Sequence, residues 1–139
     1  MFDLALINAG AQVVLATSSD ENHPPENMLD GSLQTFYATT GMFPQEFVIS
    51  FQSLMNINKI KIHSLNVKDV SVSRSVQNDK TDFESLTEKS FTKSEGTLQN
   101  EEFSFEATTA HHLKFVIKSG YDLFTSIYRV HVDGNAIHQ

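Results

Sequence analysis

The chain has 139 residues, with 10 Lys and Arg against 17 Asp and Glu, for a net charge of −7. It contains no cysteine, which excludes disulfides and thiolate metal sites and suits a reducing compartment. The basic residues are scattered singly, as at Lys59, Lys61, Lys68 and Arg74, so the footprint of a nucleic-acid-binding or anionic-membrane-binding surface is missing; partner proteins or cations suit this charge better.

A chain of this length reads as one domain over residues 1–139, able to bury roughly 68–70% of its extended surface. Its opening, MFDLALINAGAQ, lacks a basic start and a sustained apolar run, so no secretory signal is expected. No window approaches the ~18 apolar residues of a transmembrane helix, and the expectation is a soluble, intracellular protein.

In chain order, Leu4, Leu6 and Val13-Val14-Leu15 form short apolar runs. A loop-rich segment, His23 to Phe47, follows, with a short helical turn expected at Pro25–Leu29, where proline suits a helix start. Phe47–Phe51 reads as a strand. Ile57, Ile60 and Ile62, spaced by Lys59 and Lys61, read as period-2 alternation. Val67, Val70 and Val72 come next, and further strands are expected at Leu98–Phe105, Leu113–Ile117 and Ile127–Val132. In the last, Tyr128, Val130 and Val132 fall on one side, with Arg129 and His131 on the other. Phe83–Lys93 fits either a helix or a polar edge strand, and Ser75–Asp82 reads as a surface loop. Short β-branched and aromatic runs between Gly, Asn, Asp and Ser signal an antiparallel sandwich or barrel.

The chemistry concentrates in the His23–Phe47 segment. Asn27, Asp30 and Thr35 place an amide or carbonyl oxygen, a carboxylate and a hydroxyl in one loop beside Gly31, and hard cations favour such oxygen donors. The same residues also fit a plain Asp-Gly turn whose side chains bond the local backbone. The EF-hand pattern is absent. His111 and His112 are adjacent, so on a strand they point to opposite faces, and the other histidines, His23, His63, His131 and His138, show no ligand spacing. No Gly-x-Ser-x-Gly elbow and no phosphate loop is found, and the adjacent Glu101 and Glu102 cannot present two carboxylates to one cleft, so no enzyme is expected. Most of the eleven Phe are expected to fill the core, while Phe36, Phe43 and Phe124 sit beside loop signals where they could instead face a partner.

The stretch ATSSDENHPPENMLDGSLQTFYATTGMFPQEF, Ala16 to Phe47, resembles the signature region of the intraflagellar transport protein 25 family, also grouped with small heat-shock-like proteins. Leu98–Glu102 and the closing Val132-Asp133-Gly134 are in keeping with it. The resemblance implies an all-β, discoidin-like, galactose-binding-type jelly-roll β-sandwich. It also implies a structural Ca²⁺ site at Asn27, Asp30 and Thr35, and a heterodimer with a Rab-like small GTPase, intraflagellar transport protein 27, in the transport B complex of cytoplasm and cilium. Two departures stand out. Tyr37 occupies a position where related modules often carry Trp, and Arg129 occupies one where they often carry a Glu ligand, which lowers the expected calcium affinity. A carbohydrate- or lipid-head-group-binding module is the rival reading, and a chaperone a third. Nothing in the chain looks like an α-crystallin domain.

Overall fold

Apolar side chains at alternate positions build eight strands, and two of these are long enough to serve two sheets. The computed structural model describes residues 2–18, 20–77 and 82–137. The strands are β1 (Phe2–Asp3), β2 (Gln12–Ala16), β3 (Tyr37–Ala38), β4 (Gln45–Leu65), β5 (Asp69–Ser75), β6 (Glu84–Ser90), β7 (Gln99–Ile117) and β8 (Ser126–Ala136). Two short 3₁₀ turns, Ile7–Ala9 and Pro25–Leu29, complete the regular structure among the described residues. Among the described residues no helix is long and apolar enough to cross a membrane.

Every strand pairing is antiparallel. β4 and β7 pair with each other in two stretches, separated by a register shift between Ser50 and Met55. Before the shift they lie in a sheet of order β2–β4–β7–β5–β6. Beyond it they form a second sheet, β7–β4–β8, with the two-residue strands β1 and β3 on β8. This is the antiparallel jelly-roll sandwich that the resemblance implies.

The separate strands expected at Leu98–Phe105 and Leu113–Ile117 are one strand, because β7 changes sheets between Ala110 and His112 without stopping. Alternation fails at that crossing. His111 and His112 therefore do not point apart: their ring centroids lie 4.6 Å from each other, with His112 buried and its Nδ1 2.6 Å from Ser50 Oγ. Phe83–Lys93 resolves as the edge strand β6, and Pro25–Leu29 forms the expected short turn. Residues 78–81 of the Ser75–Asp82 loop, and His138, lie outside the described residues.

Two bulges correct the simple period-2 pattern. Ile57 and Ile60 are three apart, yet both are buried, because the register slips around Asn58. A second slip, opposite His63 and Ser64, lets Ile127 and Val130 both turn inward, while Tyr128 stays half-buried. One inserted residue per bulge resets the alternation.

The core is aromatic at its centre. Phe47 and Phe115 stack at 4.8 Å between centroids, and Tyr37 meets Phe47 edge-on at 6.1 Å. Buried Gln99 ties the periphery to this core: its Oε1 accepts from Ser64 Oγ and Val67 N, and its Nε2 donates to the carbonyls of Val67 and Thr92. Phe115 sits at the β4–β7 seam with no exposure. Phe115→Ala is therefore expected to lower the unfolding free energy by about 3–5 kcal/mol, read by chemical denaturation.

Candidate functional site

Between the Pro25–Leu29 turn and β3 the chain folds back on its own polar groups. Pro25 opens the turn, Met28 and Leu29 anchor it in the core, and Gly31 leaves it at φ +77°, a left-handed conformation that favours glycine. Asp30, exposed at the turn's end, accepts from Ser32 N (2.9 Å) and from the Thr35 hydroxyl (2.5 Å). Asn27 directs its Nδ2 to the Phe36 carbonyl at 2.9 Å, and its amide oxygen is the end that remains for a ligand. Two of the three expected residues, Asp30 and Thr35, are thus in direct contact, and Asn27 joins them through the backbone beside Thr35. One carboxylate, one hydroxyl and one amide oxygen in one loop are donors of the hard type that Ca²⁺ takes.

Aromatic groups brace the same loop. Phe36 stacks on His23 at 4.1 Å and meets Tyr128 of β8 at 4.9 Å. Tyr37 is fully buried and donates its hydroxyl to the Ser18 carbonyl at 2.6 Å. Burial pushes the Tyr37 hydroxyl above its ordinary pKa, against the lowering effect of that bond.

Arg129 is engaged elsewhere. Its Nη2 donates to Asp3 Oδ2 at 2.9 Å, and His131 lies between Asp3 (3.3 Å) and Asp133 (2.6 Å). Asp3 Oδ1 also accepts from the backbone N–H groups of Ala5 and Val132, so this cluster fastens β1 onto β8. His63 faces Arg129 across the β4–β8 ladder, and burial, then Arg129, holds its pKa below the usual range. Among the described residues no three His, Asp or Glu side chains are placed to hold one metal ion.

A second feature lies at one end of the sandwich. The loops 39–44 and 119–125 are joined by Thr39 and Thr125, whose hydroxyls lie 2.9 Å apart and whose backbones are also bonded. Buried Gln45 holds the first loop from within: its Nε2 donates to the Thr40 and Met42 carbonyls, and its Oε1 accepts from Ser18 Oγ. A Cβ at Gly120 would meet Asn66 O at 2.6 Å and the Phe43 ring at 2.8 Å, so only glycine permits this packing. On this fastened base Met42 and Leu123 are each 86% exposed and Phe124 51% exposed. Of the three aromatics expected beside loop signals, Phe124 is presented to solvent; Phe43 packs against the core and Phe36 is in the ring stack. The sequence reading missed Met42 and Leu123, whose signal was an apolar residue beside Gly41 and beside Asp122.

With this geometry in hand, the chain can be set against known proteins. The family model of the F5/8 type C domain matches residues 13–130. The human intraflagellar transport protein 25 homolog is 44% identical over 135 residues, covering 97% of this chain and 94% of that protein. Intraflagellar transport protein 25 of Chlamydomonas reinhardtii is 41% identical over 134 residues, covering 96% of this chain and 70% of that protein. Among solved structures, a CBM32 module of Clostridium perfringens in complex with GalNAc-beta-1,3-galactose superposes with a TM-score of 0.80 at 22% identity, covering 94% of this chain and 99% of that one. Chitosan-binding module 1 from a Paenibacillus chitosanase/glucanase does so with a TM-score of 0.80 at 20% identity, covering 96% and 100%. The sandwich thus has the F5/8 type C, discoidin-like fold, and the chain belongs to the intraflagellar transport protein 25 family.

Proposed function

We propose that this protein is a non-enzymatic subunit of the intraflagellar transport B complex. In this reading it works in the cytoplasm and cilium as one half of a heterodimer with a Rab-like small GTPase, intraflagellar transport protein 27. The names of its relatives support the transport role. The observation that carries the binding reading is the exposed apolar tip of Met42, Leu123 and Phe124 on a base fastened by Gln45, Thr39 and Thr125. Loops fixed in advance lose little backbone freedom on binding, which leaves more of the contact energy to show as affinity. A permanent interface of this kind is expected to bury about 2,000 Å² or more, with apolar anchors at its centre.

The loop at Asn27, Asp30 and Thr35 is proposed to hold a structural Ca²⁺ through those three oxygens. The ion would supply charge neutralisation for Asp30 and keep the loop in shape beside Phe36. Arg129 contributes no acidic ligand, so the site has few charges and binds weakly. The sugar-bound modules of Clostridium perfringens that share this fold are 22% and 16% identical to the chain, so they support a shared fold and not a shared ligand.

The partner reading is tested by affinity purification of the full-length chain from ciliated cells. The wild-type chain is expected to bring down a small GTPase, and Leu123→Asp combined with Phe124→Asp to reduce recovery at least about tenfold with an unchanged melting temperature. Recovery of no GTPase by the wild-type chain, alongside glycan-array binding, would favour the carbohydrate-module rival. For the ion, Asp30→Ala is expected to lower the melting temperature in calcium buffer far more than in chelator, since ligand stabilisation follows RT ln(1 + [L]/Kd). Equal losses in both buffers would reduce Asp30 to a turn residue.

A further inference from the structure

We infer that the outer edge of β2 (Gln12–Ala16) is a docking site for an extended segment of a partner chain, with alternating apolar residues and flanking Lys or Arg. The two sheets present four edges. An open edge strand displays a row of unpaired N–H and C=O groups, and native sheets guard such edges with charge or cover them. Three of the four are managed in this way. β6 carries Glu84, Glu88 and Lys89, and the second-sheet portion of β7 carries Glu101, Glu102 and Glu106. The free side of β8 is taken up by β1 and β3.

β2 differs. Its sequence, QVVLA, holds no charge, and among the described residues its ladder runs to β4 alone. The Pro25–Leu29 turn packs beside it, yet among the described residues no other backbone group hydrogen-bonds to the strand's outer edge. The register slip between Val13 and Leu15 turns Val13 and Ala16 toward the core and leaves Leu15 51% exposed. Strand addition at such an edge draws affinity from main-chain hydrogen bonds and specificity from alternate side chains.

Charge selects the occupant. Residues 1–58 contain Asp3, Asp20, Glu21, Glu26, Asp30 and Glu46 and no Lys or Arg; all 10 basic residues come later. Glu46 lies beside Thr17 at the end of β2, and Asp20 and exposed Glu21 follow it. A second copy of the chain would bring two such acidic surfaces together, which like charge opposes, whereas a Lys- or Arg-flanked strand is attracted. The edge shares no residue with the apolar tip or the ion loop, so the inference stands whether or not the GTPase reading holds.

The test selects phage-displayed random short peptides against the full-length chain and synthesises the best binder. That peptide is expected to alternate apolar residues between Lys or Arg flanks and to slow amide hydrogen exchange within residues 12–16. Leu15→Lys, which places a guard charge on an exposed position, is expected to weaken it at least about tenfold without lowering the melting temperature. The inference is overturned if no peptide is selected, if the binder protects another segment, or if Leu15→Lys binds it equally well. Light scattering supplies the remaining outcome: a wild-type dimer that Leu15→Lys turns into a monomer would assign the edge to self-pairing and overturn the partner segment.

Discussion

The pairing of β4 with β7 is the constraint on which the rest of this molecule depends. These are strands of 21 and 19 residues, and each belongs to one sheet over its first part and to the other over its second. A pair shared in this way fixes the distance and angle between the sheets without a separate connection. It also brings Phe47 and Phe115 into stacking contact where the layers face each other. The cost falls at the crossing, where the ladder slips between Ser50 and Met55 and buried His112 needs Ser50 as a partner. An unpaired imidazole nitrogen at that depth would forfeit a hydrogen bond that water cannot replace.

Loops at the end of this frame are held by buried amides rather than by apolar packing alone. Gln45 and Gln99 each use both ends of the side chain, Gln45 on the loop that carries Met42 and Gln99 on the connections at Val67 and Thr92. A fully satisfied buried amide specifies one loop conformation, because any other leaves donors or acceptors without partners. The exposed apolar tip is therefore a shaped surface and not a frayed loop. On the Asp30 side the brace is different: Asx and hydroxyl bonds hold the loop on its own atoms, with an aromatic stack at its base. The oxygen-rich loop is thus bonded to itself, whereas the loop carrying Met42 is held by an amide from within the sandwich.

Charge is partitioned as clearly as polarity. The first 58 residues, which include β2 and the Asp30 loop, carry six acidic and no basic residues, while basic residues of the later strands lie next to carboxylates: Lys59 and Lys61 near Glu102, Lys89 near Glu101, Lys118 near Glu88. Exposed pairs of this kind add little stability. Residues 59–139, with 10 basic and 11 acidic residues, are near neutrality, so most of the net charge of −7 belongs to residues 1–58.

What the sequence determined by itself was local. Alternation of Ile, Val and Phe with polar residues specified strands, Pro25 and the Asp30-Gly31 pair specified a turn, and the clustering of Asn27, Asp30 and Thr35 in one loop needed no tertiary information. Period-2 patterning follows from the geometry of a single extended chain. Tertiary structure decided whatever depends on a partner strand. The two slips that turn Ile57 with Ile60, and Ile127 with Val130, to the same side follow from pairing register, as does the fusion of two expected strands into β7. The clasp of Asp3 with Arg129 joins residues 126 positions apart. The standing of β2 as an unguarded edge depends on what lies beside it rather than on what it contains. Chain-local chemistry can be read along one dimension, but burial, register and edges exist only once the strands have chosen their neighbours.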